Sequence, residues 1–179
     1  IYGKSIKYNK LPRNLINAVI VTEDKRFFKH YGVDFKGVLR AVYVNLKEGR
    51  IVQGGSTITQ QLAKNLFLTP ERSFTRKLHE LILSLWLELR FSKEQILSIY
   101  LNRVYLGSGT YGVQAASEKY FNKKVEELNL YECAVIASLL KAPSRYNPIA
   151  NKKLSKERAS LVLENMARSK MISRENLNV

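Results

Sequence analysis

The chain contains few of the residues on which several common protein classes depend. It has one cysteine, Cys133, in 179 residues, so an internal disulfide is excluded. Its two histidines, His30 and His79, belong to no His-x-x-x-His or Cys-x-x-Cys pattern, which argues against a structural zinc site. The chain also lacks a Gly-x-Gly-x-x-Gly segment and a phosphate loop that ends in Gly-Lys-Ser/Thr. The usual nucleotide-binding folds are therefore excluded.

Long apolar runs and acidic residues are scarce as well. The longest apolar runs, residues 81–85 and 133–140, fall short of the roughly 20 residues that a bilayer-spanning helix needs. The chain begins at Ile1 without a signal peptide, so we expect any membrane anchor to lie in a segment outside it. There are 30 Lys and Arg residues against 15 Asp and Glu, a net charge of +15. This imbalance predicts a polyanionic partner, which could be nucleic acid, an anionic membrane or a phosphate-bearing substrate.

Apolar residues recur with helical spacing along most of the chain, and strand-like alternation is scarce. With 45% hydrophobic and 25% charged residues, the composition is that of one globular domain over residues 1–179. Apolar spacing predicts helices from 12 to the early twenties, over about 75–91, where leucines form a stripe, and around 159–166. Capping boxes at Ser92/Gln95 and Asn129/Glu132 predict the starts of two more helices. The sequence therefore predicts a mainly α fold in which Glu23 ends the first helix.

Residues 33–51 form a basic amphipathic stretch, in which apolar residues alternate with Lys36, Arg40, Lys47 and Arg50. Such a stretch is typical of a helix that lies on an anionic bilayer. It is equally typical of an ordinary surface helix whose Lys and Arg side chains extend to water. The residues alone leave both interpretations open.

Two glutamates are candidates for glycosyl chemistry, which needs one carboxylate to manage a proton and another to hold charge or geometry. Glu23 follows an apolar helix and precedes Asp24, so partial desolvation beside a like charge would suit a general base. Glu80 lies one turn after Arg76 and close to Lys77, on the helix face opposite the leucine stripe. On these residues alone, each glutamate also fits a solvated surface ion pair.

A polar segment that follows paired glycines is a candidate ligand site. Gly54 and Gly55 run into Ser56 and Thr57 at the start of a helix, which exposes backbone N–H groups and hydroxyls that receive phosphate or sugar. Two glutamines and a lysine follow on the same helix, namely Gln60, Gln61 and Lys64. A flexible loop with a polar N-cap explains the glycines and the serine but not the glutamines and the lysine. A structural loop and a ligand site both stay open.

Taken together, five segments resemble in order and spacing the five motifs of the peptidoglycan glycosyltransferase domain of class A penicillin-binding proteins and their monofunctional relatives. The first reads Glu23-Asp24-Lys-Arg-Phe27-Phe-Lys-His30-Tyr-Gly32, and the second Gly54-Gly55-Ser56-Thr57-Ile58-Thr59-Gln60-Gln61-Leu-Ala-Lys64-Asn65. The third is Arg76-Lys77-Leu-His-Glu80, the fourth runs from Lys93 through Tyr100 and Asn102 to Phe121, and the fifth covers residues 140–148. Their joint occurrence over residues 23–148 is far more specific than any single motif.

The resemblance implies a lysozyme-like, two-lobed helical domain with a central cleft, acting on lipid II, the undecaprenyl-pyrophosphate-linked disaccharide peptide. Glu23 would be the base that activates the acceptor sugar, and Glu80 the second catalytic residue. The implied substrate-binding residues are Asp24, Phe27, His30, Gly55, Ser56, Thr57, Gln60, Gln61, Lys64, Asn65, Arg76 and Lys77. Glu80 would either hold the cations in place or help bind a divalent metal, Mg²⁺ or Mn²⁺; no organic cofactor is implied.

The resemblance also implies partners and a location. The partners would be lipid II, the growing glycan chain and an anionic membrane surface rather than nucleic acid, with a C-terminal transpeptidase domain if the parent protein is bifunctional. The domain would work at the outer face of the bacterial cytoplasmic membrane. Two alternatives remain: a lysozyme-like muramidase or lytic transglycosylase, which would need no cationic phosphate site, and a basic helical nucleic-acid binder, which would concentrate its cations on one face.

Overall fold

The computed structural model describes residues 3–51, 54–67 and 73–178, and the described part is built from α-helices. Its α-helices are α1 (Arg13–Glu23), α2 (Phe35–Glu48), α3 (Ile58–Phe67), α4 (Phe74–Arg90), α5 (Lys93–Arg103), α6 (Val113–Phe121), α7 (Leu130–Leu139) and α8 (Lys152–Arg168). Short 3-10 helices lie at Tyr8–Lys10, Phe27–Lys29, Val125–Glu127 and Arg174–Asn178. Over these ranges, strand-type pairing is limited to two isolated bridges. The prediction of a mainly α fold is confirmed.

The helix ends follow the local signals in the sequence. Helix α1 begins directly after Pro12 and ends at Glu23, as predicted. At the start of α5, the Ser92 hydroxyl accepts from the Gln95 N–H at 3.2 Å, and the Gln95 side chain accepts from the Ser92 N–H at 2.9 Å. Asn129 and Glu132 exchange the same pair of bonds at the start of α7. These reciprocal bonds satisfy N–H groups that a helix start leaves without a partner.

The chain forms two compact units, and the boundary falls within α5. We call Ile1–Lys25 with Ser98–Val179 the terminal unit, and Arg26–Leu97 the inner unit. In the terminal unit, α7 is buried from Glu132 to Leu139 and packs against α1 and α8. Its core side chains include Leu15, Val19, Ile136, Leu139 and Leu163. An apolar helix enclosed in this way is typical of the centre of a small helical core.

In the inner unit, α3 packs against α4, and the orientation of α4 differs from the prediction. The sequence places Glu80 opposite the leucine stripe, and in an amphipathic helix such an apolar stripe usually faces the core. Instead, Glu80, Ser84 and Leu87 are the buried residues of α4. The stripe is largely exposed, and its exposed members are Leu78, Ile82, Leu85 and Leu89. The predicted face was wrong because the polar side chains of α4 have partners inside the unit, whereas its apolar side chains face outward.

Helix α2 also presents apolar side chains to the surface. Only Gly37 and Ala41 are buried along it. Its exposed apolar side chains include Phe35, Leu39, Val42, Tyr43 and Leu46. Within the described ranges, none of the helices combines the length and the apolar character needed to cross a membrane. Helices α2 and α4 are thus amphipathic elements that turn apolar side chains away from the core of the inner unit.

Candidate active site

In the terminal unit, the candidate base Glu23 is the last residue of α1 and is half-buried, with its Oε1 atom inaccessible to solvent. Asp24 caps the helix and is buried, and its N–H donates to the Ile20 carbonyl at 2.9 Å. This is the partly desolvated pair of carboxylates that the sequence predicts. A carboxylate in such a setting is suited to proton transfer because its surroundings are less screened than bulk water.

A buried tyrosine accompanies these two carboxylates. Tyr100 of α5 is almost fully enclosed. Burial raises the pKa of its hydroxyl well above the usual value, and the negative charges of Glu23 and Asp24 raise that pKa further. Tyr100 therefore stays protonated near the candidate base. Tyr100 belongs to the fourth motif, but no role at the site was predicted for it, since residues this far apart in sequence reveal no contact.

In the inner unit, the remainder of the first motif forms an aromatic cluster. Phe27 is fully buried, and its ring meets those of Phe28 and His30 edge-on, with centroids 5.1 Å and 6.3 Å away. The ammonium of Lys93 lies 4.5 Å from the centroid of the Phe27 ring. A cation over a ring face at this distance is attracted to it. Phe27 and His30 are thus fixed parts of the inner unit's framework.

The first two motifs are tied together through Thr57. Its hydroxyl donates to the Gly32 carbonyl at 2.5 Å and accepts from the Gln60 N–H at 3.1 Å. The Gln60 side chain in turn accepts from the Thr57 N–H at 2.9 Å. This reciprocal pair is a capping box that starts α3. Thr57 and Gln60 therefore hold the second motif in place, and their direct contact with substrate stays a prediction.

The third motif meets the second at Lys77. Its ammonium donates to the Ser56 hydroxyl at 3.1 Å and forms an ion pair with the Glu80 carboxylate. Glu80 is buried, whereas Lys77 and Ser56 are exposed. A half-exposed cation is thereby anchored at one side by a buried anion, which leaves its outer side available to a ligand. The structure therefore brings together three of the residues that sequence analysis placed at the site.

The other predicted site residues of the inner unit lie on the same elements. Gly55 packs closely against α2, because a Cβ built on it would lie 3.3 Å from a methyl group of Val38. On α3, Gln61 is half-buried, while Lys64 and Asn65 are exposed. On α4, the N–H of Arg76 donates to the Ser73 hydroxyl at 3.0 Å, which caps the helix. Their contact with substrate stays a prediction.

The donor set near Glu80 does not resemble a resident metal centre. Across the described ranges, no group of three or more His, Cys, Asp or Glu side chains is arranged to hold a metal ion. One oxygen of Glu80 is already taken up by the ammonium of Lys77. Magnesium prefers an octahedral set of oxygen ligands. The residues present fit an anchored lysine better than a protein-built metal site.

Comparison with known proteins agrees with the order of the motifs. A family model described as transglycosylase matches residues 2–167. The chain belongs to the transglycosylase family. Penicillin-binding protein 1A of Aquifex aeolicus (strain VF5) is 49% identical over 170 residues, which are 95% of this chain and 23% of that protein. Penicillin-binding protein 1F of Bacillus subtilis (strain 168) is 49% identical over 158 residues, which are 88% and 22%.

A solved structure supports the same assignment. The crystal structure of penicillin-binding protein 1A from Haemophilus influenzae matches with a TM-score of 0.59 at 28% sequence identity, over 98% of this chain and 17% of that one. The chain thus spans less than a quarter of the length of these relatives. Membership of the transglycosylase family confirms the resemblance, the fold class and the enzyme class, a peptidoglycan glycosyltransferase.

Proposed function

We propose that this transglycosylase domain polymerises lipid II into β-1,4-linked glycan strands and releases undecaprenyl pyrophosphate with inversion at the anomeric carbon. The observation that carries this proposal is the Lys77 ammonium, held between the buried Glu80 carboxylate and the exposed Ser56 hydroxyl. A fixed cation beside a hydroxyl is suited to a phosphate group, whose charge grows as the leaving group departs. An enzyme that only hydrolyses glycan has no such leaving group.

Glu23 acts as the general base in this proposal. It removes the proton from the 4-hydroxyl of the acceptor sugar, whose oxygen then attacks the anomeric carbon of the growing chain. Its half-buried position at the end of α1, next to the buried Asp24, supports that role. Tyr100 stays neutral beside the two carboxylates and so adds no further negative charge to the site.

The cations of the inner unit act on the leaving group. Lys77 is the best-supported cation for this role, because two partners, Ser56 and Glu80, fix the position of its ammonium. Arg76 precedes it on α4, and Lys64 is exposed on α3, so both are candidates for the same anion. Because these groups are oriented before the reaction, they stabilise the developing pyrophosphate charge with little reorganisation.

Glu80 serves in this proposal as the anchor of Lys77. The sequence leaves open whether Glu80 organises the cations or binds a divalent metal. The ion pair with Lys77 favours the first role. A metal that arrived with the pyrophosphate would draw most of its ligands from phosphate oxygens and water. Such a metal would add to the charge that Lys77 supplies at the pyrophosphate, so a requirement for Mg²⁺ or Mn²⁺ stays a prediction.

The inner unit is also the part of the domain that we expect to meet the membrane. Helices α2 and α4 expose apolar side chains, and α2 interleaves them with Lys36, Arg40 and Lys47. Apolar surface combined with positive charge is what binding to an anionic bilayer requires. We therefore propose action at the outer face of the cytoplasmic membrane. An anchor outside this chain and a C-terminal transpeptidase domain belong to the same proposal, because the relatives are several times longer.

A polymerisation assay tests the proposal against its main rival. Purified protein is incubated with lipid II in detergent, and the products are separated by size. We expect glycan chains and free undecaprenyl pyrophosphate, with no release of fragments from purified cell wall. Cleared cell wall together with unconsumed lipid II would contradict the proposal and indicate a muramidase. Salt-dependent binding to duplex DNA with indifference to lipid II would indicate a nucleic-acid binder.

A further inference from the structure

Besides Glu80, helix α4 carries a second carboxylate with a buried side chain, that of Glu88. Its Oε1 atom accepts from the Thr59 hydroxyl at 2.7 Å and from the Lys93 ammonium at 2.7 Å. The Glu88 side chain is only 4% exposed, and that of Lys93 is 19% exposed. Thr59 is fully buried. This is a nearly dry, charge-assisted cluster within the inner unit.

The cluster connects four segments of the inner unit. Thr59 lies in the first turn of α3, Glu88 near the end of α4, and Lys93 at the start of α5. The same ammonium of Lys93 lies 4.5 Å from the ring centroid of Phe27 in the first motif. The elements that carry the predicted substrate-binding residues of the inner unit thus meet at the Glu88–Lys93 ion pair.

The cluster also determines how α3 lies on α4. Ser56, just before α3, contacts Lys77 near the start of α4, and Thr59 contacts Glu88 near its end. At 1.5 Å per residue, Lys77 and Glu88 are about 16 Å apart along the helix axis. The contacts themselves lie closer together than that, because the Lys77 ammonium lies at the Glu80 carboxylate. They still involve separate turns of α4, and together they constrain the rotation and the register of α3 on α4. An apolar interface alone would tolerate small slips between helices.

We propose that Glu88 is a positioning residue for the transfer reaction. Together with Lys93 and through Thr59, it fixes the predicted substrate-binding side chains of α3, such as Gln61 and Lys64, relative to Lys77. This inference rests on the proposed function. A buried ion pair is weak evidence for stability, because taking both charges out of water costs about as much as their attraction returns. Such a pair is better explained by the unique geometry that it imposes, and a misplacement of about 1 Å is enough to slow an enzyme severely.

Removing Glu88 or Lys93 would leave an unpaired buried charge and put folding at risk, so the decisive variant is Thr59→Val. It keeps the volume and the ion pair and removes only the link to α3. We expect kcat for lipid II polymerisation to fall roughly tenfold or more, with a smaller change in KM, because the displaced groups act mainly on the charge that develops in the transition state. Thr59→Ser should restore kcat to within about twofold, since it keeps the hydroxyl.

Two further measurements separate positioning from a loss of fold. Ser138→Ala removes an equally buried hydroxyl whose bond, to the Val135 carbonyl at 2.7 Å, stays within α7 of the terminal unit and outside the five motifs. We expect it to leave kcat nearly unchanged. A double-mutant cycle of Thr59→Val with Lys77→Met should be clearly non-additive in kcat/KM, because both changes disturb the same arrangement.

Each outcome bears on the inference. A Thr59→Val variant with wild-type kcat would overturn it, as would a strictly additive cycle with Lys77→Met. A fall in kcat that Thr59→Ser does not restore, or that Ser138→Ala reproduces, would assign the cluster to stability alone. If the wild-type protein makes no polymer from lipid II, the proposed function fails instead, so the two failures are distinguishable.

Discussion

The ammonium of Lys77 lies 3.1 Å from the hydroxyl of Ser56 and pairs on its other side with the buried carboxylate of Glu80. Ser56 belongs to the second motif and Lys77 to the third, so this contact joins segments that are separated in sequence. An anion that met the Ser56 hydroxyl would therefore also meet a cation whose position is already fixed. This arrangement is the physical basis on which we propose that the inner unit binds the pyrophosphate of the substrate.

Replacing Lys77 by methionine tests whether its charge serves catalysis as well as folding. We expect kcat/KM for lipid II to fall by about a hundredfold or more, because preorganised charge at the leaving group is lost. We also expect the free energy of unfolding to fall by about 1–3 kcal/mol, because Glu80 is left buried without its cation. Kinetics on lipid II and urea unfolding measure the two effects.

The double variant Lys77→Met/Glu80→Gln separates these effects. Removing both charges should recover much of the stability without recovering activity. Lys153→Met, at an exposed position on α8, is the matched control and should change neither quantity appreciably. Full activity in the double variant would show that the Lys77 charge is dispensable for the reaction.

Two leucines on α4 test the orientation of that helix. Leu87 is 1% exposed and Leu89 is 84% exposed. Leu87→Ala should lower the free energy of unfolding by about 2–5 kcal/mol, since it opens a cavity in the core. Leu89→Ala should change it by no more than about 0.5 kcal/mol. A larger loss for Leu89→Ala than for Leu87→Ala in urea titrations would mean that the leucine stripe, and not the Glu80 side, faces the core.

Substitution of Gly32 tests the close packing of the first motif against the backbone of α4. Its φ of 69° lies in the left-handed region, and a Cβ built on it would lie 3.1 Å from the backbone of Ser84. Gly32→Ala should therefore destabilise the fold by about 1–3 kcal/mol. A Cβ at Gly54 meets nothing within 4 Å, so Gly54→Ala should be nearly neutral in the same unfolding measurement. Similar behaviour of the two alanine variants would contradict this geometry.

Because its thiol is buried, we expect Cys133 to lower the free energy of unfolding at alkaline pH. Burial raises the pKa of its thiol to about 12 in the folded protein from an ordinary value of 9.0, and the Glu132 charge contributes to the rise. Between these values, the unfolded chain loses the thiol proton while the folded protein keeps it. The free energy of unfolding should therefore fall with rising pH, by up to about 1.4 kcal/mol per pH unit from this group.

The contribution of Cys133 can be separated from those of lysines and tyrosines by comparison with Cys133→Ala. The variant should be less stable at pH 7, because a buried thiol is removed, but its stability should fall less steeply above pH 9. Chemical denaturation at several pH values provides both slopes. Parallel slopes for the two proteins would show that the thiol is not protected by the fold.

Local signals in the sequence were enough to predict most helix ends. The capping boxes at Ser92 and Asn129 form as expected, and α1 ends at Glu23, because each signal involves only neighbouring backbone groups. The family motifs also selected Ser56, Lys77 and Glu80, which the structure brings together. These predictions succeeded because the information lies within one turn of helix or within one motif.

Predictions that depended on tertiary contacts were less successful. The leucine stripe of α4 was expected to be buried, since apolar residues usually face a core. Here Glu80 and Glu88 face inward because Lys77, Lys93 and Thr59 provide partners for them, and helical periodicity carries no information about such partners. Glu88 belongs to none of the motifs, so no signal in the sequence distinguished it from an exposed charge.

The most direct test of the central claim is the rate of lipid II polymerisation by Glu23→Gln relative to wild type. The substitution keeps size and shape but removes the base, so we expect a loss of about 10²–10⁴-fold with an unchanged circular dichroism spectrum and unfolding midpoint. Glu164→Gln, at an exposed position on α8, is the control and should polymerise at the wild-type rate. A folded Glu23→Gln protein that polymerised lipid II as fast as wild type would contradict the account.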